Sequence, residues 1–230
     1  MKTSDIPPGL AIGEKVHQFE SFAEAASDFF SGFHAEDIFT EQPPDNSCGC
    51  VAAHLAEGRY LLKVFRYQFQ KSACEKAVSG LLELFGEHLP VGAERLARIE
   101  ETFSSGKLDA REFIETIFRN QEDRFLEAVE RTGLEEELMT LFAVYLARPM
   151  RAQAAVHLCA VTDLSDWTHG YCPVCGHRPA LAHLEKGAPL RTLWCVSCGT
   201  EWASRPVQCA QCLGDDGEKL ELLGPPDEPA

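Results

Sequence analysis

The chain has 230 residues, enough to bury a core as one domain or as a large domain beside a small one. Asp and Glu outnumber Lys and Arg 36 to 21, and a formal net charge of −15 repels phosphate backbones, which argues against a nucleic-acid binder. Apolar residues make up 45% of the chain, which excludes general disorder. No run of about 18 apolar residues offers a membrane-spanning helix, and the opening MKTSDIPPGL lacks the apolar region of a signal peptide, so a cytoplasmic protein is expected.

Residues 1–19 read as an irregular lead. Ser21-Phe-Ala-Glu24 has the form of a capping box, and Phe22, Ala25, Ala26, Phe29, Phe30 and Phe33 then recur at helical spacing. Residues 41–47 are a loop by composition, and Cys48-Gly-Cys50 opens a short helical stretch. From Tyr60 to Phe85 the positions Leu61, Leu62, Phe65, Phe69, Ala73, Ala77, Leu81 and Leu84 predict one long amphipathic helix, with Gly80 a point of interruption. A weaker helix follows over 91–103. Asp109 and Glu112 form a second capping signature, ahead of Phe113, Ile117, Phe118, Phe125, Leu126 and Val129, and Gly133 suits a helix C-cap. Leu134 to Ala147 reads as another helix. Pro149 then breaks the chain and fits the first turn of a helix over 150–160. No strand is read before residue 166, so 20–165 is expected to be a helical bundle. After Trp167 short β-compatible runs appear at 179–184, 190–194 and 200–203, separated by glycines and C-x-x-C turns. The expected architecture is therefore mainly α: a helical domain over 20–165, a small β-rich cysteine ribbon over 166–213 and an acidic flexible tail over 214–230.

Six of the ten cysteines form three pairs: Cys172-Pro-Val-Cys175, Cys195-Val-Ser-Cys198 and Cys209-Ala-Gln-Cys212. Two intervening residues let both thiolates of a pair point at one ion from a tight turn, and four thiolates satisfy a tetrahedral zinc or iron ion. Gly176 and Gly199 follow the second cysteine of their pairs, where a positive φ is useful. Cys172, Cys175, Cys195 and Cys198 are thus expected to hold one metal, with a β-hairpin between the knuckles. A pairing of Cys195/Cys198 with Cys209/Cys212 remains open. Cys209 and Cys212 otherwise offer half of a second site, completed by Cys48 and Cys50 or by a partner chain, or they are idle thiols. His169, His177 and His183 flank the region and are expected to be surface or supporting groups. Cys74 and Cys159 lie on helical patterns and are expected in the core.

The segment from Pro149 through Trp167-Thr-His-Gly170-Tyr-Cys-Pro-Val-Cys-Gly176, then Arg191-Thr-Leu-Trp-Cys-Val-Ser-Cys198-Gly-Thr-Glu-Trp202 and Arg205-x3-Cys209-x-x-Cys212, resembles the formate dehydrogenase accessory protein family, FdhE. The likeness is specific over about 149–212. Upstream, only the order of helices before a ribbon matches. The family's usual fourth C-x-x-C pair does not follow Cys212. The resemblance implies a cytoplasmic, non-catalytic maturation factor with rubredoxin-like, iron- or zinc-binding knuckles, which engages the catalytic subunit of a formate dehydrogenase. No nucleic acid and no membrane insertion are expected, and a homodimer is left open. The rival classes are a zinc-ribbon adaptor in transcription or RNA handling and a rubredoxin-like electron carrier. The ribbon is neutral and rich in residues frequent at binding hot spots, of which Trp167, Arg191 and Arg205 are the expected partner-binding set.

Overall fold

The computed structural model describes residues 12–33, 39–42, 48–184, 190–205, 208–210 and 214. The start of the chain, residues 43–47, which the sequence reads as loop, Cys212 and nearly all of the acidic tail lie outside the described residues. Helices dominate: α1 Ile12–Ser31, α2 Cys48–Ala56, α3 Leu61–Val64, α4 Lys71–His88, α5 Ala93–Ser104, α6 Ala110–Phe118, α7 Glu122–Thr132 and α8 Glu136–Val161. Strands β1 Phe39–Gln42 and β2 Arg66–Phe69 pair with each other, and β3 Leu181–His183, β4 Arg191–Trp194 and β5 Glu201–Ser204 form an antiparallel sheet in the order β3-β4-β5. The chain divides into two compact units, each assembled from separate stretches of sequence.

The first unit comprises Met1–Phe39, Phe69–Ile117 and Gln121–Pro149, and its described part is almost wholly helical. Its core is aromatic. Phe22 of α1 meets Phe85 of α4 edge-on, with centroids 5.1 Å apart, and Tyr145 of α8 at 4.5 Å. Phe85 in turn meets Phe142 at 5.4 Å. Such edge-to-face pairs add about 0.5–1.5 kcal/mol each beyond the area they bury. The buried stripe of α4, Cys74, Ala77, Val78, Leu81 and Phe85, has the helical spacing that puts these residues on one face. Two helix ends follow their sequence signals. Asp109 Oδ1 accepts the Glu112 amide at 2.9 Å, and Gly133 takes φ 65°, which lets its amide reach the Val129 and Glu130 carbonyls.

Several expectations are corrected. The first helix starts at Ile12, so Ser21 lies inside it and caps nothing; its hydroxyl instead meets His88 Nδ1 at 3.2 Å. The stretch 60–85 is not one helix but α3, β2 and α4. Phe65 takes φ −77° and ψ 150°, which ends α3, and Arg66–Phe69 then alternates exposed and buried as a strand does. Strands therefore exist before residue 166. Gly80 does not interrupt α4. Pro149 does not divide α8 either, which runs through it from Glu136 to Val161. The proline withholds an amide from the Tyr145 carbonyl and costs about 3 kcal/mol, but Leu146, Ala147, Met150, Ala154 and Leu158 are buried on either side of it and fix the helix there.

The second unit comprises Thr40–Gln68, Phe118–Asn120 and Met150–Ala230. The ribbon sheet lies here, with β strands close to the three β-compatible runs in the sequence. Leu193 and Trp202 face each other across β4 and β5 and are both buried, which gives the small sheet its packed side. The ribbon does not stand alone within this unit. The Leu61 and Leu62 amides at the start of α3 donate to the Pro173 and Val174 carbonyls, both at 2.8 Å, and Tyr171 Oη donates to the Gly58 carbonyl at 2.6 Å.

Gly80 yields a test of the first unit's packing. A Gly-to-Ala change inside a helix normally stabilises by about 1 kcal/mol. Here the new Cβ would lie 2.2 Å from Phe29 Cζ and 2.4 Å from Cε2. Overpacking of that kind costs about 1–3 kcal/mol, so Gly80→Ala should lower the urea midpoint, and Phe29→Leu in the same background should recover it. A raised midpoint for Gly80→Ala alone would contradict this packing.

Candidate metal centre

Two tight turns of the second unit carry the chemistry, and they are built alike. In the first, the Gly176 amide donates to the Cys172 carbonyl at 3.0 Å and the Cys172 amide to the His177 carbonyl at 2.8 Å. In the second, the Gly199 amide donates to the Cys195 carbonyl at 2.8 Å and the Cys195 amide to the Thr200 carbonyl at 3.0 Å. Both glycines take positive φ, 77° and 76°. At Gly176 the requirement is double, because a Cβ there would also lie 2.6 Å from the Tyr60 ring.

The two turns bring Cys172, Cys175, Cys195 and Cys198 together, with all four Sγ atoms within 4.8 Å of one another. The short separations cross between turns: Cys172 to Cys198 and Cys175 to Cys195, each 3.5 Å. A disulfide needs about 2.05 Å, so these sulfurs are not bonded. Tetrahedral zinc with Zn–S near 2.3 Å places its sulfurs roughly 3.8 Å apart, so the donor set fits a metal ion after small shifts that open the two 3.5 Å pairs. All four residues are buried, none more than 4% exposed. Burial pushes the Cys172 thiol up, while hydrogen bonding from Cys172 pulls Cys195 down. A negative charge on one sulfur opposes ionisation of the next, and four thiolates can share this space only around a cation.

The groups around the sulfurs come from several segments of the unit. Arg151 of α8 is 6% exposed. Its Nη1 donates to Ser197 Oγ at 2.6 Å and faces His177 Nε2 at 3.3 Å, and its Nε donates to the Phe118 carbonyl at 3.0 Å. Thr200 Oγ1 lies 3.0 Å from Cys198 Sγ. Burial, with the Arg151 charge beside it, lowers the His177 pKa, which favours the neutral ring that can accept the guanidinium at Nε2. His177 therefore supports the centre and is not among the four sulfur donors. The sequence reading missed Arg151, Ser197, Thr200 and Tyr60. The available signal was an arginine placed on the buried stripe of α8 with Ala147, Ala154 and Leu158.

The remaining site residues spread out. Cys209 is half-buried, and its amide donates to the Gly214 carbonyl at 2.8 Å, the same closure, five residues on, that both four-cysteine knuckles use. Cys212 lies outside the described residues, as do the side chains of Cys48 and Cys50, which stand at the start of α2. Trp167 is only 5% exposed; its indole donates to the Tyr171 carbonyl at 2.8 Å and packs edge-on against His169 and Tyr171. It therefore has almost no surface to give a partner. Arg191 is half-buried and donates through Nη2 to the Gln208 carbonyl, whereas Arg205 is exposed.

A helical protein with a four-cysteine ribbon of rubredoxin-like or zinc-ribbon type is the class that fold and site define. No family model matches the chain. In sequence it is 24% identical over 177 residues to a protein named FdhE homolog from Aquifex aeolicus (strain VF5), a match that covers 75% of this chain and 56% of that protein. The chain thus spans little more than half the length of this curated relative. In fold it is similar to the crystal structure of the FdhE protein from Pseudomonas aeruginosa, with a TM-score of 0.56, 17% identity, and coverage of 95% of this chain and 68% of the other. In sequence, in the order of its cysteine motifs and in fold, the chain is thus similar to FdhE proteins.

The geometry predicts one ion per chain. Cys175→Ser should lower the metal content well below that and unfold the ribbon, leaving helical circular dichroism largely intact. A Cys172/Cys175 double serine variant that keeps its full metal complement would place the ion elsewhere.

Proposed function

We propose that this protein is a non-catalytic accessory factor that binds the catalytic subunit of a formate dehydrogenase during its assembly, and that its ribbon holds one zinc or iron ion at Cys172, Cys175, Cys195 and Cys198. The observation that carries the reading is the FdhE likeness over most of the chain, joined to a cysteine cluster of the matching kind. Burial supports a supporting role for the metal: sulfurs this enclosed are not offered to a substrate. The cysteines among the described residues form no disulfide, which suits a reducing cytoplasm, and no helix among those residues is long and apolar enough to cross a membrane.

Docking falls on the ribbon in this reading. Arg205 is exposed, and Leu181, Leu184 and Leu190 are 64%, 61% and 46% exposed, an unusual concentration of apolar surface for so small a sheet. Arg191 holds the neighbouring Gln208 carbonyl in place and Trp167 closes the turn before the first knuckle. The net charge of −15 keeps the protein soluble and steers it toward a basic partner surface.

Deleting the gene in its own host should leave the formate dehydrogenase catalytic subunit present but poorly active, and the tagged protein should co-purify with that subunit. Arg205→Glu together with Leu181→Glu should reduce co-purification at least tenfold, about 1.4 kcal/mol, with metal content unchanged. Full formate dehydrogenase activity in the deletion strain would refute the proposed role. Undiminished capture by the double variant would move docking away from the ribbon.

A further inference from the structure

The four-cysteine centre raises a charge problem that one buried side chain is placed to answer. A divalent ion with four thiolates carries two net negative charges, and here it would sit where water does not reach. Arg151 is the buried cation beside it. Its guanidinium is gripped by Ser197, inside the second knuckle, by His177, just after the first, and by the Phe118 carbonyl. Burial lowers its pKa, and Cys175, Cys198 and Cys195, in that order, act to hold its charge. Ser197 and His177 thus fix the guanidinium to both knuckles at once. An arginine is suited to this place because its planar fork makes several directed bonds while it stays protonated.

We infer that Arg151 is the fixed counter-charge of the four-cysteine centre, positioned by Ser197 and His177 to raise the affinity for the metal and, with iron bound, to raise the reduction potential. The inference rests on the metal reading above. The direction for iron follows from charge: the ferrous tetrathiolate carries one more negative charge than the ferric form, so a nearby cation favours the reduced state.

Cobalt(II) and iron loading test it in the full chain. Groups that support metal ligands typically change affinity by about 10–100-fold, and Arg151→Gln should weaken cobalt binding by that much in competition with a chelating dye. The iron-loaded Gln variant should have a lower reduction potential than the wild type. Arg151→Lys, which keeps the charge, should retain most of the potential even where it loses some affinity. Ser197→Ala should shift both readings in the same direction as the Gln variant, by less. Equal loss in the Gln and Lys variants with no change in potential would show a packing role and overturn the inference, as would unchanged values in both. If the Gln variant does not fold even with cobalt, Ser197→Ala decides, and unchanged affinity and potential there overturn it. Wild-type protein that takes up no cobalt at all would reject the metal centre itself, and the inference with it.

Discussion

Four sulfur atoms buried within 4.8 Å of one another dictate the organisation of the second unit. Without a cation, burial and the repulsion between neighbouring thiolates oppose their ionising together. With one, the knuckles close around a single point. The surrounding segments then need only to place the turns, and they do so largely through backbone hydrogen bonds. The α3 amides reach the first knuckle, and each cysteine turn is closed by its own glycine. A sheet of three short strands could not supply this stability by burial alone, since its packed side rests chiefly on Leu193 and Trp202.

The first unit solves a different problem. Its helices bury Phe22, Phe85, Phe113 and Phe142 in an interlocking aromatic core, and its exposed faces carry much of the acidic surplus. Rings packed edge to edge tolerate close approach where the opposite helix lacks a side chain, as Phe29 does over Gly80. In the proposed role the helical unit would serve as the body of the protein and the ribbon as the element that carries recognition.

How much was legible depended on whether a local rule or a tertiary contact decided the outcome. The knuckles were legible because ligand spacing is a geometric constraint that glycine punctuation confirms, and the Asp109 and Gly133 caps were legible because each is completed within a few residues. The helix drawn from Tyr60 to Phe85 failed for an identifiable reason. Phe65, Phe69 and Leu62 fit a helical face, but Phe65, Tyr67 and Phe69 also alternate with Arg66 and Gln68, and pairing with Phe39–Gln42 favours the strand. Pro149 looked like a boundary because local propensity disfavours it, yet buried neighbours on both sides outweigh that cost. Trp167 looked available because tryptophan marks many interfaces, although a ribbon this small uses its aromatics as cover. Arg151 went unnoticed because a single charge within a helix reads as solvated until the stripe around it is known to be buried.

X-ray absorption at the metal edge of the purified protein tests the central claim most directly. The account predicts a nearest-neighbour shell of four sulfurs, near 2.3 Å for zinc, with no nitrogen or oxygen contribution. A shell with fewer than four sulfurs, or one that needs a histidine nitrogen to fit, would contradict the assignment of Cys172, Cys175, Cys195 and Cys198 as the complete ligand set.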